Sequence, residues 1–322
     1  MLLEPLMSVY TKVQSEELTD FLIRYSIGKL VSFSGITAGV TNTNYWLETD
    51  SGYYVLTLFE HLDSLGLDYV LGLQHHLANK GVKCTAPIID NSGALFSILN
   101  HRPAAIINRI SGSVYQSPTI NQCHQIGSEL AKFHLAGLSY QNEKPNNRGL
   151  KWMKSISIAL KSVLEKTELD LINLVIKDFE SFDLGSLPLG SLHGDLFHDN
   201  VLFDDGNLSG IIDFDYACQD YLIYDIAVTI NDWCINSKGE LLPDKMSAFL
   251  KAYNSIRVIQ ACEHSGLPLM LQTAALRFWL SRLYDKHFPL SGELTFVKDP
   301  SEFSRMLISR REGADLLTNT KT

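Results

Sequence analysis

Residues 191–215 read SLHGDLFHDNVLFDDGNLSGIIDFD, and this stretch decides how the rest of the chain is read. Asp204-Asp205-Gly206-Asn207 is a turn signal between two apolar runs, Val201–Phe203 and Leu208–Ile212. A turn that short makes the strands antiparallel, so the start of the first lies beside the end of the second. Asn200, just before the first strand, and Asp213, just after the second, are therefore expected to meet, with Asp195 on the loop ahead of them. Two oxygen donors of this kind suit Mg²⁺, a hard cation that keeps substrate phosphates in its shell. A neighbouring carboxylate can orient an acceptor hydroxyl and take its proton late in the reaction. The chemistry that needs this grouping is phosphoryl transfer from a nucleotide. Asp and Asn also favour turns and caps, but three of them at this spacing outweigh that reading.

Working outward, the first third of the chain reads as strands with helices between them. Residues 15–27 place Leu18, Phe21, Leu22 and Tyr25 on one helical face, from a Ser-x-x-Leu start that lacks a full capping box. Two β-rich runs, Asn44–Glu48 and Tyr53–Phe59, flank Thr49-Asp50-Ser51-Gly52 as a hairpin. A helix over Asp68–Lys80 ends at Gly81, and a second hairpin is expected around Asn91-Ser92-Gly93, between Ile88–Asp90 and Leu95–Leu99. From about residue 114 the pattern turns helical, with Ile126, Leu130 and Phe133 on one stripe. Residues 141–149 form a polar loop, helices resume over 150–181, and a β-rich island spans 188–214. After Asp225 the chain reads as helical, with breaks near Pro243, Pro268 and Pro289. The expected architecture is α+β and two-lobed: a small β-rich lobe over 1–107, a hinge at 108–113 and a larger α-rich lobe over 114–322.

Composition removes several classes of function. The chain has 322 residues, 45% hydrophobic and 20% charged, which is ordinary globular usage and sets aside disorder, collagen and coiled coils. The net charge of −9, without any run of Lys and Arg, argues against a nucleic-acid partner. Cys84, Cys123, Cys218, Cys234 and Cys262 are odd in number and widely spaced, which points away from disulfides or a thiolate metal site and toward a reducing, cytoplasmic setting. The first residues carry Glu4 and no base before Lys12, unlike a signal peptide, and Met7 offers a second possible start. No run approaches 18 uninterrupted apolar residues, so no membrane span is expected.

The spacing Asp195-x₄-Asn200, then an apolar strand and Asp213, resembles the protein-kinase catalytic loop, with His193-Gly194-Asp195 in place of His-Arg-Asp. Together with Ile212-Asp213-Phe214-Asp215 it looks like the aminoglycoside phosphotransferase/choline kinase family, small-molecule kinases on a protein-kinase-like fold. Gly127-x-x-Leu130-x-x-Phe133-His134 and Asp225-Ile226-Ala227 are similar to further family segments. Within that family GVTNTNYWLET (39–49), YVLTLFE (54–60), NRISG (108–112), HGDLFHDNVLF (193–203), NDWC (231–234) and RFWLSRLYD (277–285) look most like the bacterial homoserine kinase branch.

The resemblance implies ATP and Mg²⁺ as cofactors and a small-molecule acceptor, L-homoserine in that branch, on the route to threonine. Asp195 is then the catalytic residue, and Asn200 and Asp213 are the metal ligands. The loop Ser34–Asn44, with Gly39, Thr41 and Asn42, would cover the phosphates, while Asn108–Ile110 would meet the adenine. Where the family has a Lys in the third strand this chain has Thr57, a departure it shares with the homoserine branch. His193 and Asp225 would brace the catalytic loop. A free amino acid needs a cation and an anion, and residue chemistry offers Arg277 and Arg282 for its carboxylate and Asp232 for its ammonium. Two other readings stay open at this point: a related kinase for an aminoglycoside, choline or another hydroxyl metabolite, and a nucleotide-binding regulator without transfer activity. Protein phosphorylation is disfavoured, since no Ala-Pro-Glu segment follows Asp213.

Overall fold

The computed structural model describes residues 11–36, 42–60, 64–289 and 298–313. Its elements run in the order α1 (Ser15–Leu22), β1 (Leu30–Gly35), β2 (Thr43–Thr49), β3 (Gly52–Leu58), α2 (Ser64–Asn79), β4 (Ser97–Leu99), β5 (Arg102–Asn108) and α3 (Ile120–Gly137). Then follow α4 (Leu150–Leu160), α5 (Lys166–Ser181), β6 (Leu189–Leu192), β7 (Val201–Asp204), β8 (Asn207–Ile211) and β9 (Cys218–Tyr221). Four helices complete the described chain: α6 (Leu222–Trp233), α7 (Pro243–Asn254), α8 (Ala261–His287) and α9 (Ser301–Glu312). The chain divides into two compact units: one runs to Gly112 and takes in Ser209–Ile212, and the other holds Ser113–Leu208 and the residues from Asp213 on.

The first unit is built on an antiparallel sheet in the order β1-β2-β3-β5-β4. Its two faces are covered differently. Leu18, Phe21 and Leu22 of α1 pack with Tyr45, Leu47, Leu56, Leu58 and Ile106, whereas Leu67 and Leu71 of α2 pack with Phe59, Ala105 and Ile107. Cover on both faces explains why Ala104–Ile107 is a continuous buried run rather than an alternating one. The hairpin of β2 and β3 forms as expected, and its register sets Asn44 opposite Thr57. Helix α1 ends five residues before the predicted boundary. It carries the capping box missing from the sequence reading, because the cap is Gln14, whose amide donates to Glu17 Oε2 at 2.7 Å.

The second predicted hairpin does not form. Asp90 Oδ1 instead accepts the amides of Ser92 and Ala94 in a tight local turn. The strands that do pair, β4 and β5, turn through Asn100 and His101, both in the left-handed region at φ +50° and +63°. Ser209–Ile212 join this unit because Ile211 donates to the Lys83 carbonyl and accepts from the Thr85 amide, each at 2.9 Å.

In the second unit, helices α3 and α6 pack against β6, and α6 also against β9. Phe133, Phe214, Trp233, Phe249 and Trp279 are among the unit's largest fully buried side chains. The break near Pro243 is present, since α6 ends at Trp233 and Pro243 opens α7 at its first turn, where a missing N–H costs nothing. The predicted break at Pro268 is not: Pro268 lies inside α8. Gly127 marks the closest approach of α3 to α7: a Cβ there would lie 2.4 Å from the Phe249 carbonyl oxygen. Forcing the two helices apart should cost about 1–3 kcal/mol. Gly127→Ala is therefore expected to lower the midpoint of denaturant unfolding without changing the slope. An unchanged midpoint would show that the contact relaxes freely.

Candidate active site

The loop between β6 and β7 carries the motif, and its shape is set from a distance. Asp225, wholly buried in the first turn of α6, accepts the amide of His193 on one oxygen and that of Gly194 on the other, each at 2.9 Å. Two consecutive amides can converge on one carboxylate because Gly194 adopts φ +77°. A side chain there would also collide with the Tyr216 carbonyl oxygen, 2.8 Å from the position of a Cβ. The His193 ring is buried and packs edge-on against Phe214, with centroids 4.9 Å apart. Asp225 thus holds the backbone immediately before Asp195, with the His193 ring packed beside it.

Asn200 closes the other side of the loop. Its Nδ2 donates to the Asp195 backbone oxygen at 2.8 Å, which leaves Oδ1 free to ligate. Asp213 follows β8 with an exposed carboxylate and a left-handed backbone at φ +62°, a conformation Asp tolerates better than most L residues. The segment behind it is held by Lys144, which sequence reading passed over: its Nζ donates to the carbonyls of Asp215 at 3.2 Å and Ala217 at 2.9 Å. Lys144 lies in a polar loop 71 residues upstream of Asp215, with no local pattern to mark it.

Burial pushes the Asp195 carboxyl up to about 7; the Arg277 cation pulls against this, and the charge of Asp213 adds to it. Arg277 is buried and stacks over Phe278 at 3.9 Å and Tyr216 at 4.7 Å. Among the described residues no acceptor hydrogen-bonds its guanidinium. The other substrate candidates already have partners. Arg282 donates to Glu302 at 2.6 Å and to the Asp299 carbonyl at 2.8 Å, over the ring of Phe303. Asp232 accepts both the amide and Nδ1 of His198 on one oxygen, at 2.6 and 2.8 Å. Arg282, Asp232, His198 and Lys298 line a cavity of about 220 Å³ that does not include Arg277.

In the first unit Thr57 does not stand alone. Its hydroxyl donates to Asn44 Oδ1 at 2.7 Å, fixing the Asn44 amide. Sequence reading placed Asn44 at the end of the phosphate loop without this partner, although the two-residue turn of the hairpin already pairs the two positions. Asn42 Oδ1 accepts the Glu60 amide at 3.3 Å. Gly39 and Thr41 lie outside the described residues. The Asn108 side chain accepts the Ala86 amide at 2.6 Å, so it braces β5, and Ile110 packs against Gly210.

The chemistry of the donors fits Mg²⁺: one carboxylate and one amide oxygen suffice for an ion that keeps waters and phosphates. A dedicated cage of three His, Cys, Asp or Glu side chains is absent among the described residues, as such a site requires none. Among the described residues no helix is long and apolar enough to cross a membrane.

His134, fully buried, donates from Nε2 to Asp225 at 3.2 Å and meets the Tyr253 hydroxyl at Nδ1, 2.6 Å away. Burial holds the ring below its ordinary range against the pull of Asp225, so the contact joins a neutral imidazole to an anion. Burial raises the Asp225 carboxyl, but His134 and the His193 amide outweigh it and hold it low. The other charges acting on His134 are Arg257, which lowers it further, and Glu263, which raises it. Both shifts have the same sign for stability. The unfolded chain takes up protons first, at the ordinary values of 6.5 for His134 and 3.8 for Asp225. The stability contributed by His134 and Asp225 should be full above pH 6.5 and decline as pH falls below it, through His134 first, while the raised groups Asp195 and His198 act in the opposite direction. Urea unfolding of the protein and of His134→Gln from pH 8 to 5 isolates the His134 part: the stability difference between them should shrink as pH falls, and a difference that does not change with pH contradicts the assignment.

The phosphotransferase enzyme family matches residues 32–259. A homoserine kinase of Methylobacillus flagellatus is 42% identical over 301 residues, 94% of each chain. One of Neisseria meningitidis serogroup B is 41% identical over 94% of this chain and 99% of its own. Among solved structures, an amicoumacin kinase in complex with AMP-PNP, Ca²⁺ and Ami shares the fold at a TM-score of 0.70 and 16% identity, covering 95% of this chain and 94% of its own. A choline kinase of Streptococcus pneumoniae does so at 0.64 and 17%, covering 92% and 97%. With its catalytic-loop motif intact and relatives alike along nearly its whole length, the chain belongs to the phosphotransferase enzyme family, in the homoserine kinase branch.

Proposed function

We propose that the protein transfers the γ-phosphoryl group of ATP to the side-chain hydroxyl of L-homoserine, giving O-phospho-L-homoserine and ADP on the way to threonine. The observation that carries this reading is relatives named homoserine kinase at 40–42% identity across 94% of the chain, with Asp195 held between the Asp225 anchor and Asn200. AMP-PNP in the amicoumacin kinase supports a nucleoside triphosphate as donor. Five free cysteines fit a reducing, cytoplasmic setting.

Asp195 positions the acceptor hydroxyl and receives its proton as the phosphoryl group departs from ADP. Its raised affinity for a proton suits a base that accepts one near neutral pH. Asn200 Oδ1 and Asp213 would hold Mg²⁺, which when bound neutralises phosphate charge. The Asn44 amide, set by Thr57, and the loop residues Gly39, Thr41 and Asn42 supply neutral donors to phosphate oxygens, in place of a Lys. The backbone at Asn108 and Ile110 serves the adenine. Arg277 takes the substrate carboxylate, being the buried cation acting on Asp195 and lacking an acceptor among the described residues. Asp232, with one oxygen left over from His198, takes the ammonium, and Arg282 contributes from the same cavity wall.

ADP release should depend on L-homoserine and be negligible with choline, ethanolamine or an aminoglycoside. A preference for any of those would replace the proposed acceptor. Asp195→Asn should cut turnover by about 10²–10⁴-fold while leaving ATP affinity intact; near-normal turnover removes its role. Arg277→Met should raise KM for homoserine roughly 10- to 100-fold, and Arg282→Met less than about 5-fold; the reverse order would move the carboxylate to the cavity. Thr57→Val should raise KM for ATP by roughly 3- to 10-fold, through Asn44, and an unchanged KM would free Asn44 of that task.

A further inference from the structure

A buried polar chain runs from the start of α8 to the catalytic loop, and nothing in the phosphoryl-transfer reading uses its far end. Arg257 forms a two-pronged pair with Glu263, at 2.9 and 3.1 Å, both side chains nearly or wholly buried. Arg257 Nη1 also donates to the Tyr253 hydroxyl at 3.1 Å. That hydroxyl lies 2.6 Å from His134 Nδ1, and His134 Nε2 lies 3.2 Å from Asp225. Asp225 in turn holds the His193 and Gly194 amides.

The direction of every proton in this chain is determined. Guanidinium nitrogens only donate, so the Arg257 contact occupies a lone pair of the Tyr253 oxygen. Burial keeps the Tyr253 proton in place, and the acceptor within reach of it is His134 Nδ1. Asp225, ionised, only accepts, so the nitrogen facing it must carry hydrogen. Both ends therefore require the Nε2–H tautomer. In the other tautomer a lone pair would face a carboxylate across 3.2 Å, and the Tyr253 proton would have no acceptor.

We propose that Tyr253 is a positioning residue for the catalytic loop: its hydroxyl, oriented by Arg257, locks His134 in the Nε2–H form and so keeps Asp225 seated on the His193 and Gly194 amides. Its effect on turnover rests on the function proposed above; its effect on the ring and the amides does not. Loss of the hydroxyl leaves Nδ1 without a donor in a dry site, so the ring turns away from Asp225, and only then is the Nε2–H form no longer imposed. The consequence is a loosened loop, felt in the chemical step more than in binding.

The test uses the full-length protein with ¹⁵N-labelled histidine. One of the ten histidine rings, identified by its disappearance in His134→Gln, should be neutral with hydrogen on Nε2. In Tyr253→Phe that signature should be lost, amide exchange at His193 and Gly194 should speed up, and kcat should fall roughly 10-fold with both KM values within about 2-fold. Arg257→Lys, which keeps a donor to Tyr253, should preserve the tautomer and the slow exchange, whereas Arg257→Met should not. This pair decides the matter if Tyr253→Phe does not fold. An unchanged tautomer or unchanged exchange in Tyr253→Phe overturns the proposal. So does a lost tautomer with unaltered kcat. A wild-type protein that phosphorylates no acceptor refutes the proposed reaction alone, since ring and amides are still read directly.

Discussion

A single buried carboxylate, Asp225, fixes the geometry on which the site depends. An ionised group in a dry interior is costly unless its lone pairs are all taken. Here two come from consecutive backbone amides and a third from His134. The carboxylate must stay charged to hold the loop, and the loop must stay in place to keep the charge satisfied. The backbone leading into Asp195 is thereby placed by a residue 30 positions after it, on the first turn of α6. Deep burial at the anchor and partial exposure at Asp195 suit the two tasks of the proposed function, one for holding and one for reacting.

The same division recurs in the first unit. Thr57 is nearly buried and works on Asn44 rather than outward. On the proposed function, a lysine at that position would bring a charge to phosphate directly, whereas the threonine would bring only orientation to an amide donor at Asn44. Such a surface discriminates by geometry more than by Coulomb attraction, which falls off less steeply with misplacement than a directed hydrogen bond.

The catalytic stretch was legible because its logic is local. The turn at Asp204–Asn207 announces the pair β7 and β8, which does form, and Asp195 is five residues before Asn200. The helical stripe at Ile126, Leu130 and Phe133 was legible for the same reason, since periodicity reports a buried face. What failed depended on distant partners or on backbone detail. Asn91-Ser92-Gly93 has turn chemistry, but Asp90 spends it on a local cap. Pro268 reads as a stop, yet tertiary packing carries α8 through it. Arg282 and Asp232 look free in the sequence, while Glu302 and His198, 20 and 34 residues away, engage them. Lys144 and Tyr253 carry no motif; only the fold brings them to carbonyls and to His134.

The return of Ser209–Ile212 to the first unit bears on how the chain can be engineered. The Lys83 carbonyl and the Thr85 amide find their partners at Ile211, more than a hundred positions on. A gene fragment stopping at Gly112 would leave those groups exposed and the sheet side of Cys84 uncovered, inviting aggregation rather than an autonomous module. Chimeras that exchange only contiguous halves with a relative would carry a mismatched insert at this seam. Grafts should move residues 209–212 along with the amino-terminal part, treating the two segments as one cassette.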